Sequence, residues 1–362
     1  MSAAASSTAS WPQATDGEIA AINLESARRH AWMRFRQDPT LPDIAEAIVD
    51  MERLRIQFAG DVEALDRLEA LAARLSDAEE SFRAALVQAE VASTGHRFAD
   101  ATMHLARATV LGAPREAADR QALAIDQARG MELDRVLDAR RRIARAGARL
   151  EDLVPLGAVL ADLERFTEAE AVYRQAFDAY AGTSPFPPAW VCFQLGMLWG
   201  ELNPVPDLNL AARWYRRAIA YVPVYVRARV HLAEIHASQG RTGKVEALLL
   251  PVLSSSDPEV RWRLADVLIA QERFEEAETQ LEAARFGFEK LLETHLLAFA
   301  DHAAEFYAGS GNNLKRALEL ARANIANRPT RHALQQAHAI VSKAKVTTVA
   351  TQAKAPHVQV PE

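Results

Sequence analysis

The chain has 362 residues, 49% of them hydrophobic, and a formal net charge of -6 from 42 Lys and Arg against 48 Asp and Glu. That balance lacks the basic field of a nucleic-acid binder, so no nucleic-acid partner is expected. A single cysteine, Cys192, excludes an intrachain disulfide and the cysteine-based zinc sites and suits a reducing, cytoplasmic setting.

In chain order, residues 1–15 are Ser- and Ala-rich, without the basic start and apolar core of a secretory signal, and read as a disordered tail. Residues 16–150 read as an all-helical region. Glu18 to Arg36 and Asp43 to Phe58 are amphipathic without a repeat spacing. Ser81 to Ala92 and His96 to Pro114, with Phe98, Ala101, Leu105 and Ala108, look like a worn helix pair, and Gln121 to Ala146 like another.

From 151 to 329 a pattern recurs five times. Each copy opens on an apolar residue followed by a small one, has a bulky residue one turn on, and closes with a second helix of small and large positions. The copies read Leu156, Gly157, Leu160 with Ala169, Tyr173, Ala176; then Leu195, Gly196, Trp199 with Ala211, Tyr215, Ala218. They continue with Leu232, Ala233, His236 and Val245, Leu249, Val252; Leu264, Ala265, Leu268 and Ala277, Leu281, Ala284; and a looser Ala303, Ala304, Tyr307 with Ala317, Ala321. The openers step by 39, 37, 32 and 39 residues. A small residue lets two helices approach and a large one fills the gap to the next pair, so this order of sizes predicts stacked helix hairpins. Pro223, Pro258 and Pro329 mark helix boundaries. Residues 330–345 read as a C-terminal capping helix and 346–362 as a mobile tail. The longest uncharged apolar run, Pro187 to Gly200, is shorter than the roughly 20 residues of a membrane span, so no membrane contact is expected.

These residues resemble the tetratricopeptide repeat (TPR) family over about half of the chain. The second copy, with three extra residues between its helices and Ala211, Trp214, Tyr215 and Ala218 in the second, looks like the longer Sel1-type variant. The resemblance implies an all-α, right-handed superhelical solenoid of antiparallel helix pairs, here joined to a helical N-terminal region.

The sequence offers little catalytic chemistry. His231 and His236 fall on different helix faces, and His295 and His302 stand about 10 Å apart along an axis. His302 with Glu305 lacks a second pair, so no metal and no cofactor are expected. Gly240-Arg241-Thr242-Gly243-Lys244 lacks the residues and the preceding strand of a phosphate loop and reads as an inter-helix turn. Cys192, in an apolar helix, reads as a buried inert thiol.

The family resemblance implies a concave groove lined by the first helix of each pair, where a protein or peptide partner binds. The inward positions are Trp190, Phe193, Met197 and Glu201; Arg227, Val230 and Glu234; Trp262, Asp266 and Ile269; and Asp301 with Glu305. An acidic groove with an aromatic floor predicts a basic partner segment carrying an apolar anchor. The competing account is that the carboxylates only solvate helix faces while the aromatics pack between repeats. The groove has no Lys and Asn clamp of the kind chaperone-tail binders of the family use. The function expected is a non-catalytic scaffold or adaptor. Two alternatives are a peptide-responsive regulator, whose nearest nucleic-acid element would be Arg140, Arg141, Arg142 and Arg145, and an accessory subunit of an enzyme complex.

Overall fold

Helix starts carry side-chain caps where the sequence supplies them. Asp16 accepts from the amides of Glu18 and Ile19 at 2.9 and 3.1 Å, Asp257 from Glu259 at 3.0 Å, and Asn313 from Arg316 at 3.0 Å. The computed structural model describes residues 12–39, 42–77 and 80–353, and among them there are seventeen α-helices and no strand. They are α1 (Gly17–Gln37), α2 (Pro42–Leu54), α3 (Ala64–Ser76), α4 (Phe82–Thr94), α5 (Phe98–Val110), α6 (Arg115–Ala128), α7 (Leu133–Gly147), α8 (Leu150–Asp162) and α9 (Phe166–Asp178). There follow α10 (Phe186–Met197), α11 (Leu208–Tyr221), α12 (Val226–Ser238), α13 (Thr242–Leu249), α14 (Pro258–Ala270), α15 (Phe274–Ala308), α16 (Leu314–Asn327) and α17 (Arg331–Ala353).

The helices pack as consecutive pairs, α8 with α9, α10 with α11, α12 with α13, α14 with α15, and α15 with α16. Helix α15 serves two pairs because its backbone breaks at His295 (φ -128°, ψ 41°). The sizes read from the sequence meet as expected: Gly157 lies under Tyr173 and Gly196 under Tyr215, each so close that a Cβ would clash with the ring. Extra residues of the second copy are taken up by a π-helical turn, Leu198–Leu202, and the loop that follows it.

One turn recurs that periodicity alone does not reveal. His96, Glu164, Gly240 and Glu272 have φ of 56°, 61°, 69° and 60°, and the arginine after each donates its amide to a carbonyl five residues back at 2.8 to 2.9 Å. This is the Schellman closure of a helix, with its left-handed residue after the last turn. Three of those arginines then pair with an acid three residues on: Arg97 with Asp100, Arg165 with Glu168 and Arg273 with Glu276. The same turn joins α4 to α5, so the worn upstream copy is a helix pair of the same make. It also accounts for Gly240, the turn glycine of the apparent phosphate loop.

Two compact units divide the described chain, and neither follows chain order. Within the described residues the first comprises 12–38, 50–61 and 132–252; the second comprises 39, 42–49, 62–77, 80–131 and 253–353. The segments read as one N-terminal region, 16–150, are thus shared between them, and α6 and α7, read as one worn copy, fall in different units.

In the first unit the N-terminal segment is tied to the repeats. Thr15 donates its amide to Thr183 at 2.8 Å and Tyr221 its hydroxyl to the Pro12 carbonyl at 2.9 Å, so the last residues of the expected loose tail are held. Gly17 sits where a Cβ would lie 2.1 Å from the Tyr221 oxygen. Phe58 packs on Phe186 and Tyr225, with ring centroids 5.0 and 4.4 Å away. Glu52, fully buried, accepts from Arg28 at 2.9 Å and from the Trp32 indole at 2.7 Å.

In the second unit α3 to α6 share a body with α14 to α17. His295 lies 2.7 Å from Asp66, Lys290 3.1 Å from Glu63, and Val62 donates its amide to Ser256 at 3.0 Å. His96 contacts the Leu297 carbonyl at 3.2 Å through Nδ1 and accepts from Asn327 at 2.9 Å through its backbone oxygen. Helix α17 continues past the cap expected to end at 345 as far as Ala353; the rest of that tail, 354–362, and residues 1–11 lie outside the described residues.

Candidate functional site

The twelve residues proposed to line a groove divide between the units. Trp190, Phe193, Met197, Glu201, Arg227, Val230 and Glu234 are in the first, and Trp262, Asp266, Ile269, Asp301 and Glu305 in the second.

In the first unit, α10 carries Trp190, Phe193 and Met197, and the π-helical turn that extends it carries Glu201. Trp190 is 36% exposed, Met197 half-buried and Glu201 exposed, whereas Phe193 is buried. Phe193 is therefore packing rather than binding surface: its ring lies 5.7 Å from Tyr215, 5.3 Å from Tyr225 and 5.4 Å from His231. The Arg227 guanidinium sits 5.8 Å above that ring. Glu201 and Glu234, assigned to consecutive repeats, meet at one side chain the groove pattern omits. His231 Nδ1 lies 2.6 Å from Glu201 and 3.1 Å from Glu234. The imidazole stacks on Tyr215 at 5.6 Å with planes 16° apart, and the Tyr215 hydroxyl donates to Glu201 at 3.2 Å. Burial alone would drive this imidazole toward its neutral form, but Glu201 and then Glu234 outweigh that, holding its pKa well above the ordinary value.

The sequence signal for this cluster is the spacing of His231 and Glu234, three apart on one helix face. Comparing His231 only with His236 overlooks it. His236 lies apart from the cluster as a buried side chain of α12.

The second unit corrects two further assignments. Trp262 is 2% exposed and packs edge-on against Phe288 and Phe306 at 6.3 and 5.6 Å, so it fills the core rather than flooring a groove. Asp301 is buried because its carboxylate holds Arg328 at 2.6 Å, while its backbone oxygen accepts from Gln336 at 3.0 Å. Burial works against its charge, yet His302 and Arg328 overcome that and bring its pKa down to about 2. Asp266 is half-buried and accepts from the Ser310 hydroxyl; Glu305 is exposed and pairs with Arg263 at 3.1 Å.

Cys192 is buried, and burial pushes its thiol pKa up. Of the four arginines considered for nucleic-acid contact, Arg140 is buried and Arg141 lies 3.6 Å from Glu168, so half of the set is engaged within the fold. No helix among the described residues is long and apolar enough to cross a membrane.

No protein-family model matches the chain, and a search of curated proteins finds no match. Among solved structures it is similar to BtubC (BKLC) from P. vanneervenii, with 17% identity, 64% of this chain and 93% of that one covered, and a TM-score of 0.40. It is also similar to the APC/C hetero-tetramer Cut9-Hcn1, at 13% identity over 85% of this chain and 58% of that one, with a TM-score of 0.44. A third is the C-terminal part of a TPR repeat-containing protein from Cytophaga hutchinsonii, at 12% identity over 82% of this chain and 98% of that one, with a TM-score of 0.34. The successive helix pairs, the small residue beneath a large one and the repeated Schellman turn make the chain a TPR-like helical array.

Proposed function

We propose that the chain is a non-catalytic interaction scaffold that takes a basic partner segment on the α10 and α12 face of its first unit. The observation that carries this reading is that Glu201 and Glu234 come from successive repeats and expose about a third of their side chains, 35% and 31%, beside one another. Trp190, on the helix that leads to Glu201, exposes 36% of its surface and supplies an apolar anchor point. Carboxylates at this exposure steer a basic segment and fix its register, while the indole supplies contact area. In the second unit Asp266, Ile269 and Glu305 are the groove positions that retain exposure.

The test is fluorescence anisotropy with Lys- and Arg-rich peptides carrying one Phe or Leu, at two salt concentrations. Binding is expected to weaken with salt and to fall about tenfold or more in Trp190→Ala, the loss of one interface anchor. Peptides that fail to bind, or that bind Trp190→Ala and Glu234→Lys as well as the parent at both salts, refute the reading.

A further inference from the structure

We propose that Glu201, His231 and Glu234 form a binding site for one divalent transition-metal ion, of which zinc is the natural probe. Each residue offers one ligand atom, and the three atoms lie within 4.8 Å of one another. One imidazole nitrogen and two carboxylate oxygens are a donor set zinc accepts, and with a neutral imidazole the set carries two negative charges to balance the ion.

His231 Nδ1 has no exposed surface and lies 2.6 Å from a Glu201 oxygen and 3.1 Å from a Glu234 oxygen, so one ring nitrogen is held between two carboxylates. A bound ion takes the place of the proton these groups share, the carboxylates moving apart by a few tenths of an ångström to the spacing of a tetrahedral shell. On binding, the proton on Nδ1 leaves to solvent and the lone pair forms the metal bond.

The surroundings are built for fixed ligands. His231 is wedged between Phe193 and Tyr215, and its side chain is 12% exposed. The Tyr215 hydroxyl orients Glu201, the partner contact that metal-ligating carboxylates commonly have. Glu201 itself rides on the π-helical turn Leu198–Leu202, a local widening of the helix that is frequent at functional sites and here brings the carboxylate toward α12. His231 and Glu234 project from one face of α12 at the i, i+3 spacing. The exposed flank of both carboxylates leaves room for water, or a donor from a bound molecule, to complete the shell.

Isothermal titration of the full chain with zinc alone, and with cobalt followed by visible absorption, tests the site without any peptide. One saturable equivalent is expected, with a cobalt spectrum of low coordination number. Glu201→Gln and Glu234→Gln, whose side chains are partly exposed and whose folding is checked by far-UV circular dichroism, should lose that equivalent, while exposed His338→Gln keeps it. Tyr215→Phe should weaken it about 10- to 100-fold, the usual cost of removing a group that orients a ligand. Absence of a saturable equivalent in the parent chain overturns the proposal, as does one that survives unchanged in both glutamate variants.

Discussion

Gly196 and Tyr215 occupy neighbouring space with nothing to spare: a Cβ on Gly196 would lie 2.4 Å from Cε1 of Tyr215. The same contact recurs between Gly157 and Tyr173, at 2.6 Å. In both pairs the first helix of a repeat gives up its side chain so that the second can lay a fully buried tyrosine across it. Gly196→Ala should therefore destabilise the chain by about 1–3 kcal/mol through overpacking, even though alanine is the better helix former. Gly243, also within a helix but with open space around a Cβ, is the control. Gly243→Ala should be neutral or stabilise by up to about 1 kcal/mol. Urea midpoints of the two variants decide it, and equal shifts would contradict the packing account.

The recurring turn gives a prediction of opposite sign at two of its copies. Gly240 and Glu272 hold the same left-handed position, at φ 69° and 60°. A side chain there is strained by about 1–2 kcal/mol, so Gly240→Ala should lower stability by about that much. Glu272→Gly should raise it, by less, because glycine also loses more backbone entropy on folding. Thermal melts of both variants, compared with the parent, read the difference.

Asp301 and Arg328 should govern stability in strong acid. The Asp301 carboxyl has its pKa at about 2 in the folded chain, below its unfolded value. Its contribution of about 2 kcal/mol is present above pH ~4 and is lost as pH falls through the folded value. Arg328→Ala leaves a buried carboxylate without its main partner and should cost about 3–5 kcal/mol near neutral pH. It should also move acid unfolding to higher pH, since that guanidinium, after His302, helps to hold the pKa down. Chemical denaturation at a series of pH values measures both effects.

His96 should act at milder acidity. Burial, with Arg328 adding to it, brings its pKa down to about 4, so the folded chain holds the ring neutral. The unfolded chain binds the extra proton first, and stability should fall as pH drops from about 6.5 toward 4. His96→Asn keeps a residue that tolerates the left-handed turn and removes the titration. A variant that loses as much stability as the parent over that interval would show the histidine is not the cause.

Glu52 should hold α1 in place. It is fully buried and takes Arg28 and Trp32, both on α1, at 2.9 and 2.7 Å. Glu52→Ala removes the acceptor of the Trp32 indole and one of the two carboxylates that hold Arg28, Glu25 being the other, and should cost about 1–3 kcal/mol. Hydrogen exchange provides the local readout: protection across Gly17–Gln37 should drop before that of α10 and α11.

The helix pairs were legible because the requirement that makes them is local. Gly157 with Tyr173 and Gly196 with Tyr215 sit at fixed spacings, and each pair forms wherever that order of sizes occurs. Glu201 and Glu234 are named from the sequence by the same spacing, and the structure brings both to His231. Phe193 and Trp262 are named by it too, but spacing places a side chain on a stripe without saying how deeply the next helix covers it. The spacing of histidines does not single out His231, because its partners are carboxylates and one of them belongs to the neighbouring repeat.

Sequence alone determined that this protein is an array of antiparallel helix pairs, since the spacing of small and large residues acts within about 40 residues of chain. Tertiary structure decided which segments share a body. It set His295 against Asp66 across 229 residues, His96 against Asn327 across 231, and the N-terminal segment at Gly17 against Tyr221. Those contacts rest on single hydrogen bonds, ion pairs and one missing Cβ. Such contacts depend on where the chain returns in space and leave no periodic trace in the order of its residues.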